Sequence, residues 1–205
     1  MTGKGKTQKT TLNQTMLRQD AIAYALELGY TFKHDWKPRA SVFYGYGTGD
    51  KNSKDAVNGR FNSLYGFNQP WSRNDYFNWS NISTPKARIE FTPHKDLRID
   101  AGYGAFWLAS STDPTTKAGM TSSSAVNNSG SSFVGHEFDI RLRHQLNPYV
   151  DWSVSYARFE PGRFTRDQAR AALANGTGGP YTDQPSNFFY FEVTLNAFGD
   201  GKPIR

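Results

Sequence analysis

The feature that most constrains this chain is a strict two-residue alternation of apolar and polar side chains, repeated in seven segments. Successive side chains of a strand point to opposite faces, so this alternation marks β-strands with one apolar and one polar face. Strands are expected at about 21–33, 38–48, 85–92, 97–109, 132–144, 149–159 and 187–198. The fourth sets Leu97, Ile99, Ala101, Tyr103, Ala105 and Trp107 against Arg98, Asp100, Gly102 and Gly104. The fifth sets Val134, Phe138, Ile140 and Leu142 against Gly135, Glu137, Asp139, Arg141 and Arg143. The first segment, DAIAYALELG, is rich in helix formers. Its alternation is cleaner than any 3.6-residue pattern, so it reads as strand, with helix as the alternative.

The connections alternate too. Turns at 34–37, 93–96 and 145–148 are short, whereas 49–83, 110–131 and 160–186 are long. A soluble sandwich has no reason to send every long loop to one end. A transmembrane β-barrel does, with short periplasmic turns, long extracellular loops and strands of about ten residues. The fold class expected is therefore all-β, an antiparallel transmembrane β-barrel, with the apolar face toward lipid and the polar face toward a water-filled lumen. The competing reading is a soluble sheet with one solvated face. Composition narrows the field further: no run approaches the ~18 apolar residues of a transmembrane helix, and Cys is absent, which removes disulfides and thiolate chemistry. Aromatic residues, 15% of the chain, argue against disorder.

If the last strand descends to the periplasm, counting back makes the first descend as well, so residues 1–20 would start outside the cell. Bacterial barrels usually have an even strand number, and no apolar h-region follows Met1. The expectation is the C-terminal part of a larger barrel: 1–20 an extracellular loop remnant or disordered tail, 21–198 about seven barrel strands, and 199–205 a short tail. The missing N-terminal strands of the same barrel would complete the pore.

Several stretches, in order, are similar to those of one family. ASVFYGYGTGD (40–50) runs into an acidic loop, and FNSLYGFNQPWSRNDYFNWSNI (61–82) is an aromatic loop leading through Asn-Ile into a strand. AFWLAS (105–110) ends a strand, and VGHEFDIRLRHQLNPYVDWSVSYARFEPGRF (134–164) joins two strands through an Asn-Pro turn. NFFYFEVTLNAF (187–198) closes the series. The chain resembles the C-terminal region of alginate-export outer-membrane proteins over about 40–198. GDGKPIR after Phe198 departs from the family, whose last strands usually end at an aromatic residue. The resemblance implies a monomeric pore in the bacterial outer membrane that exports an anionic polysaccharide, with outer-membrane lipid and periplasmic secretion proteins as further partners. It implies no enzyme, cofactor or nucleic acid. The alternatives are a general porin for small anionic solutes and a soluble carbohydrate-binding β domain.

A polyanion needs cations along its path that release as well as bind. The polar face offers Arg39, Lys86, Arg88, Arg98, Arg141 and Arg143. It also offers Glu27, Glu90, Asp100, Glu137, Asp139, Asp151 and Glu192, so the lumen charge alone names no substrate. Arg39, Arg98, Arg141 and Arg143 fall at periplasmic strand ends and could form a basic collar. Equally, they could pair with acids in a ladder along the wall. Trp71, Tyr76, Phe77 and Trp79 form a loop that could stack on sugars, act as a gate, pack, or anchor at the headgroups. TRDQARAALANG (165–176) is Ala-rich, has an acid in its first turn, and reads as a short loop helix. Asp50, Asn52 and Asp55 hint at calcium without EF-hand spacing. His136, on the outward face, is the histidine best placed for a lipid-hydrolase pair, but no Ser and acid stand beside it.

Overall fold

The computed structural model describes residues 2–8, 16–52, 55–62, 72–73, 77–113, 130–174, 176 and 183–196. All seven expected strands are present: β2 (Met16–Thr31), β3 (Arg39–Gly47), β5 (Ile82–His94), β6 (Leu97–Trp107), β7 (Phe133–Asn147), β8 (Val150–Pro161) and β9 (Ser186–Leu195). Two more appear. β1 (Thr2–Gln8) lies within the segment expected as a loop remnant or tail and pairs antiparallel with Met16–Ile22. β4 (Val57–Asn58) pairs in parallel with Arg18–Gln19. DAIAYALELG is strand throughout, because cross-strand pairing to Ala40–Gly47 gives its apolar residues a common face.

The strands form one sheet in the order β1-β2-β3-β5-β6-β7-β8-β9, each antiparallel to its neighbour. Sequential neighbours joined by tight turns account for this meander. Two residues, Lys95–Asp96, connect β5 to β6, and Pro148–Tyr149 connect β7 to β8. The long connections all leave the opposite end. The sheet is open: among the described residues β9 has one neighbour, and Ala23–Thr31 of β2 pair only with β3. An open backbone edge cannot face hydrocarbon, so in a bilayer both edges demand further pairing.

The two faces have opposite chemistry. On the outer face Leu28 and Phe189 are 77% and 70% exposed, and Ile22, Leu26, Val42, Ile89, Ile140 and Val193 are exposed with them. Ordinary water-soluble surfaces do not carry an apolar patch of this extent. It fits lipid, and it argues against the soluble alternative. Aromatic clusters sit toward both ends, as at membrane interfaces. Tyr24 lies against Tyr44 and Tyr46 near the long loops, and Tyr30–Phe32 and His34–Trp36 lie near the turns.

The buried apolar cluster is inside, at the loop end of the sheet. It joins Phe77, Ile82, Phe106, Leu108, Val134, Phe159 and Phe164. The outward placement expected for Val134 is corrected here. Phe106 pairs with Gly135 and Trp107 with Phe133, so Val134 is the extra residue of a β-bulge and turns into the cluster. Gly135 permits this: its φ is +153°, and a Cβ there would lie 2.5 Å from the Glu160 carbonyl.

The loop helix α1 (Arg163–Ala174) starts two residues before the expected segment, with the Arg166 amide donating to the Gly162 carbonyl. Asp167 therefore falls in the second turn, 3.6 Å from Arg163. α1 is docked on the barrel wall. Phe164 enters the cluster and Thr165 Oγ1 donates to the Val134 carbonyl at 2.6 Å.

Candidate functional site

The inner face carries a charge network that the register assembles row by row. One row runs Arg39–Glu90–Asp100–Arg141–Ser155–Tyr190 across β3, β5, β6, β7, β8 and β9. The next, toward the loops, runs Ser41–Arg88–Gly102–Asp139–Ala157–Phe188. Side chains on one face of adjacent strands lie close enough to pair, and here the acids Glu90 and Asp100 stand side by side, with a base on each side in their row and bases in the rows on either side.

Asp100 is the centre. Its side chain is 1% exposed and meets Arg143 at 2.9 Å, Arg73 at 3.1 Å, and Arg88 and Arg141 at 3.2 Å. A lone carboxylate buried so completely would protonate or destabilise the wall, and the four guanidiniums offset that cost. Glu90 bridges Arg98 at 2.9 Å and Arg88 at 3.1 Å. Asp139 accepts from Lys86 at 2.5 Å and Arg73 at 3.4 Å. Gly102 leaves the room for this: a Cβ there would lie 2.6 Å from Lys86 Cε and 2.9 Å from Asp139 Oδ2.

All six cations expected on the polar face are thus in ion pairs. Five join one network, whereas Arg39 pairs with Glu27 at 2.8 Å. Arg39 and Arg141 share their row with Glu90 and Asp100, whereas Arg98 and Arg143 pair in register with each other in the next row toward the turns.

Arg73 was not among the expected path residues. Ser72 and Arg73, between β4 and β5, lie in the lumen, where Ser72 Oγ donates to Glu137 Oε2 at 2.6 Å and the Arg73 amide donates to Oε1 at 2.8 Å. Counting Arg73 and Glu137, the network holds six cations against four carboxylates among the described residues, a local excess of two positive charges that Glu27, Asp151 and Glu192, with Arg39, balance over the inner face as a whole. The sequence signal was an Arg within an aromatic loop, but no periodicity tells which long loop turns inward.

Of the four loop aromatics, Trp71 and Tyr76 lie outside the described residues. Phe77 takes the packing alternative. It is 1% exposed, with its ring 4.1 Å from Phe106 and 5.8 Å from Phe159. The ring is taken up in packing, four residues along the chain from Arg73. Trp79 packs against the same cluster and edge-on to Phe61.

Above the lumen, the loops clamp one another. Asp113 accepts from Arg60 Nε at 2.8 Å and Nη2 at 2.5 Å, and from the Asp50 amide at 2.7 Å. This bidentate bond raises the Arg60 pKa above its ordinary value. Asn81, fully buried with φ +50°, accepts from the Ser110 amide at 2.7 Å and donates to the Ser110 and Asp113 carbonyls. The acids that hinted at calcium serve as turn acceptors: Asp50 for the Asn52 amide and Asp55 for the Val57 amide.

Below the loops, an open cleft of about 940 Å³ extends over the inner face from Glu27 to Glu192, lined by Arg73, Lys86, Arg88 and Arg141 on one side and by Ser153, Ser155, Phe188 and Tyr190 on the other. A family model described as alginate export matches residues 2–178, from β1 through α1. No curated protein matches the chain.

Proposed function

Because the chain belongs to the alginate-export family, whose general role is polysaccharide export across the outer membrane, we propose that its inner face guides an anionic polysaccharide passively along a ladder of paired arginines and carboxylates. The family is one of transport rather than catalysis. The observation that carries the reading is Asp100 with four arginines, inside a network with two surplus positive charges.

Such a network suits a polyanion that must move. An unpaired arginine in a narrow lumen would hold a polymer carboxylate tightly and stall it. An arginine already paired with Asp100, Glu90 or Asp139 exchanges one carboxylate for another. Each step along the chain is then nearly balanced in energy, while the local excess of guanidiniums around Asp100 favours a polyanion there. Ser72 and Arg73 line the same path and narrow it. Periplasmic secretion partners and additional strands of the same barrel complete the expected assembly.

The test is block of ion current in planar bilayers by polyuronate. Arg141→Ala with Arg143→Ala removes two of the cations and should raise the half-blocking polymer concentration severalfold. Unchanged block would remove these arginines from the path. A second reading, a general porin for small anionic solutes, rests on the same surplus charge. It predicts anion selectivity with small organic acids and no long-lived block by polymer.

A further inference from the structure

The inner face carries one feature that charge guidance leaves unused. Its aromatic residues fall into two sets. Phe77, Phe106 and Phe159 are at most 1% exposed and form the core cluster. Phe188 and Tyr190 of β9 also point inward, yet they are 36% and 41% exposed, in a cleft whose remaining lining is charged or small and polar apart from the partly buried Phe43. Their rings are nearly parallel, 12° apart with centroids at 6.3 Å, so two apolar rings follow one another along the strand.

The neighbours of these rings are arranged to match. Tyr190 pairs in register with Ser155 of β8, and Ser155 pairs with Arg141 of β7. Phe188 and Glu192 bracket Tyr190, and Ser153 pairs with Arg143. Along β8 the inward side chains at 153 and 155 are small, flanked by long guanidiniums on one side and flat rings on the other. Strands lie about 4.8 Å apart, so the cationic and aromatic walls are about 10 Å apart at the backbone. An extended arginine from one side and a ring from the other leave Ser155 only 3% exposed, so the room for a sugar is the cleft above them. Any strand added to the β9 edge pairs in the plane of the sheet and leaves this face open.

We propose that the cleft above Ser153 and Ser155, a trough between Arg141 and the β9 rings, is a pyranose-stacking subsite, holding a uronate residue with its ring face on the aromatic wall of Tyr190 and Phe188 and its carboxylate on Arg141. It rests on the export reading and deepens it, because the trough selects charged sugars over other polyanions. Charge alone would pass any acidic polymer. A sugar presents C–H bonds on its ring faces, which meet the electron-rich faces of aromatic rings favourably. The subsite therefore adds contacts that a polyanion without sugar rings cannot make.

The experiment compares single-channel block of the full-length protein by an oligouronate and by polyglutamate of matched charge. Phe188→Ala with Tyr190→Ala should shorten oligouronate block about three- to tenfold and leave polyglutamate block unchanged. Phe188→Tyr with Tyr190→Phe keeps both rings and should behave as the unaltered protein. Leucine at both positions keeps the bulk and replaces the alanine pair if that variant does not insert. Oligouronate block that is unchanged without the rings, or that falls in parallel with polyglutamate block, overturns the subsite while the arginine ladder stands. Absence of block by both probes in the unaltered protein overturns the export reading and the subsite together.

Discussion

Replacing Asp100 by Asn isolates what the charge network contributes. The substitution is close to isosteric and keeps an oxygen acceptor, but it removes the charge that four arginines share at 2.9–3.2 Å. Removing one partner of a buried ion pair costs about 3–5 kcal/mol, because the remaining charges stay desolvated. The arginine side chains are 16–32% exposed, so water and counterions recover part of that loss. The expected loss is about 3 kcal/mol, at the lower end. Urea unfolding in lipid vesicles, followed by tryptophan fluorescence, measures it as a lowered midpoint at unchanged slope. The loss should shrink in high salt, as counterions screen the surplus guanidiniums. Adding Arg143→Gln to Asp100→Asn should cost less than the sum of the single changes, with a coupling of about 1 kcal/mol or more. A loss below about 1 kcal/mol, or strict additivity, would refute the claim that Asp100 organises the wall. Asp100→Asn also raises the network surplus from two charges to three, so polyuronate block should strengthen where Arg141→Ala weakens it.

Ile140 sits at mid-strand on the outer face, and Ile140→Arg should destabilise the protein by about 2–4 kcal/mol in a bilayer if that face meets lipid. The same stability in lipid vesicles for both proteins would place the face elsewhere. Phe77→Ala should cost about 3–5 kcal/mol and free the loop carrying Ser72 and Arg73, read as faster proteolysis at the loop and noisier open-channel current. A quiet channel would separate the loop from the constriction. Gly102→Leu should push Lys86 from Asp139, costing about 1–3 kcal/mol, and unfolding at the midpoint of the unaltered protein would contradict the close approach at that glycine.

The alternation determined most of the architecture. A period of two, sustained through segments such as Leu97–Trp107 and Phe133–His144, admits little besides two-faced strands. The alternation of short and long connections then fixed which ends share a side of the membrane. The six basic residues on the inner face were legible for the same reason, since parity alone assigns a face. Three things were not. Thr2–Gln8 has no alternation to declare it, and its strand exists because the first half of β2 offers an unpaired edge. Val134 follows the outward parity by count, but a single bulged residue reverses it, and a bulge is a property of two strands in register. Arg73 and Phe77 lie in a long loop with no periodicity. Their inward position depends on Glu137, Asp139 and Phe106, which are distant in sequence. Local pattern thus decided the strands, their faces and the charge types available. Tertiary structure alone decided which charges meet, because an ion pair depends on register between strands and on where a loop comes to rest, and neither is encoded within one segment.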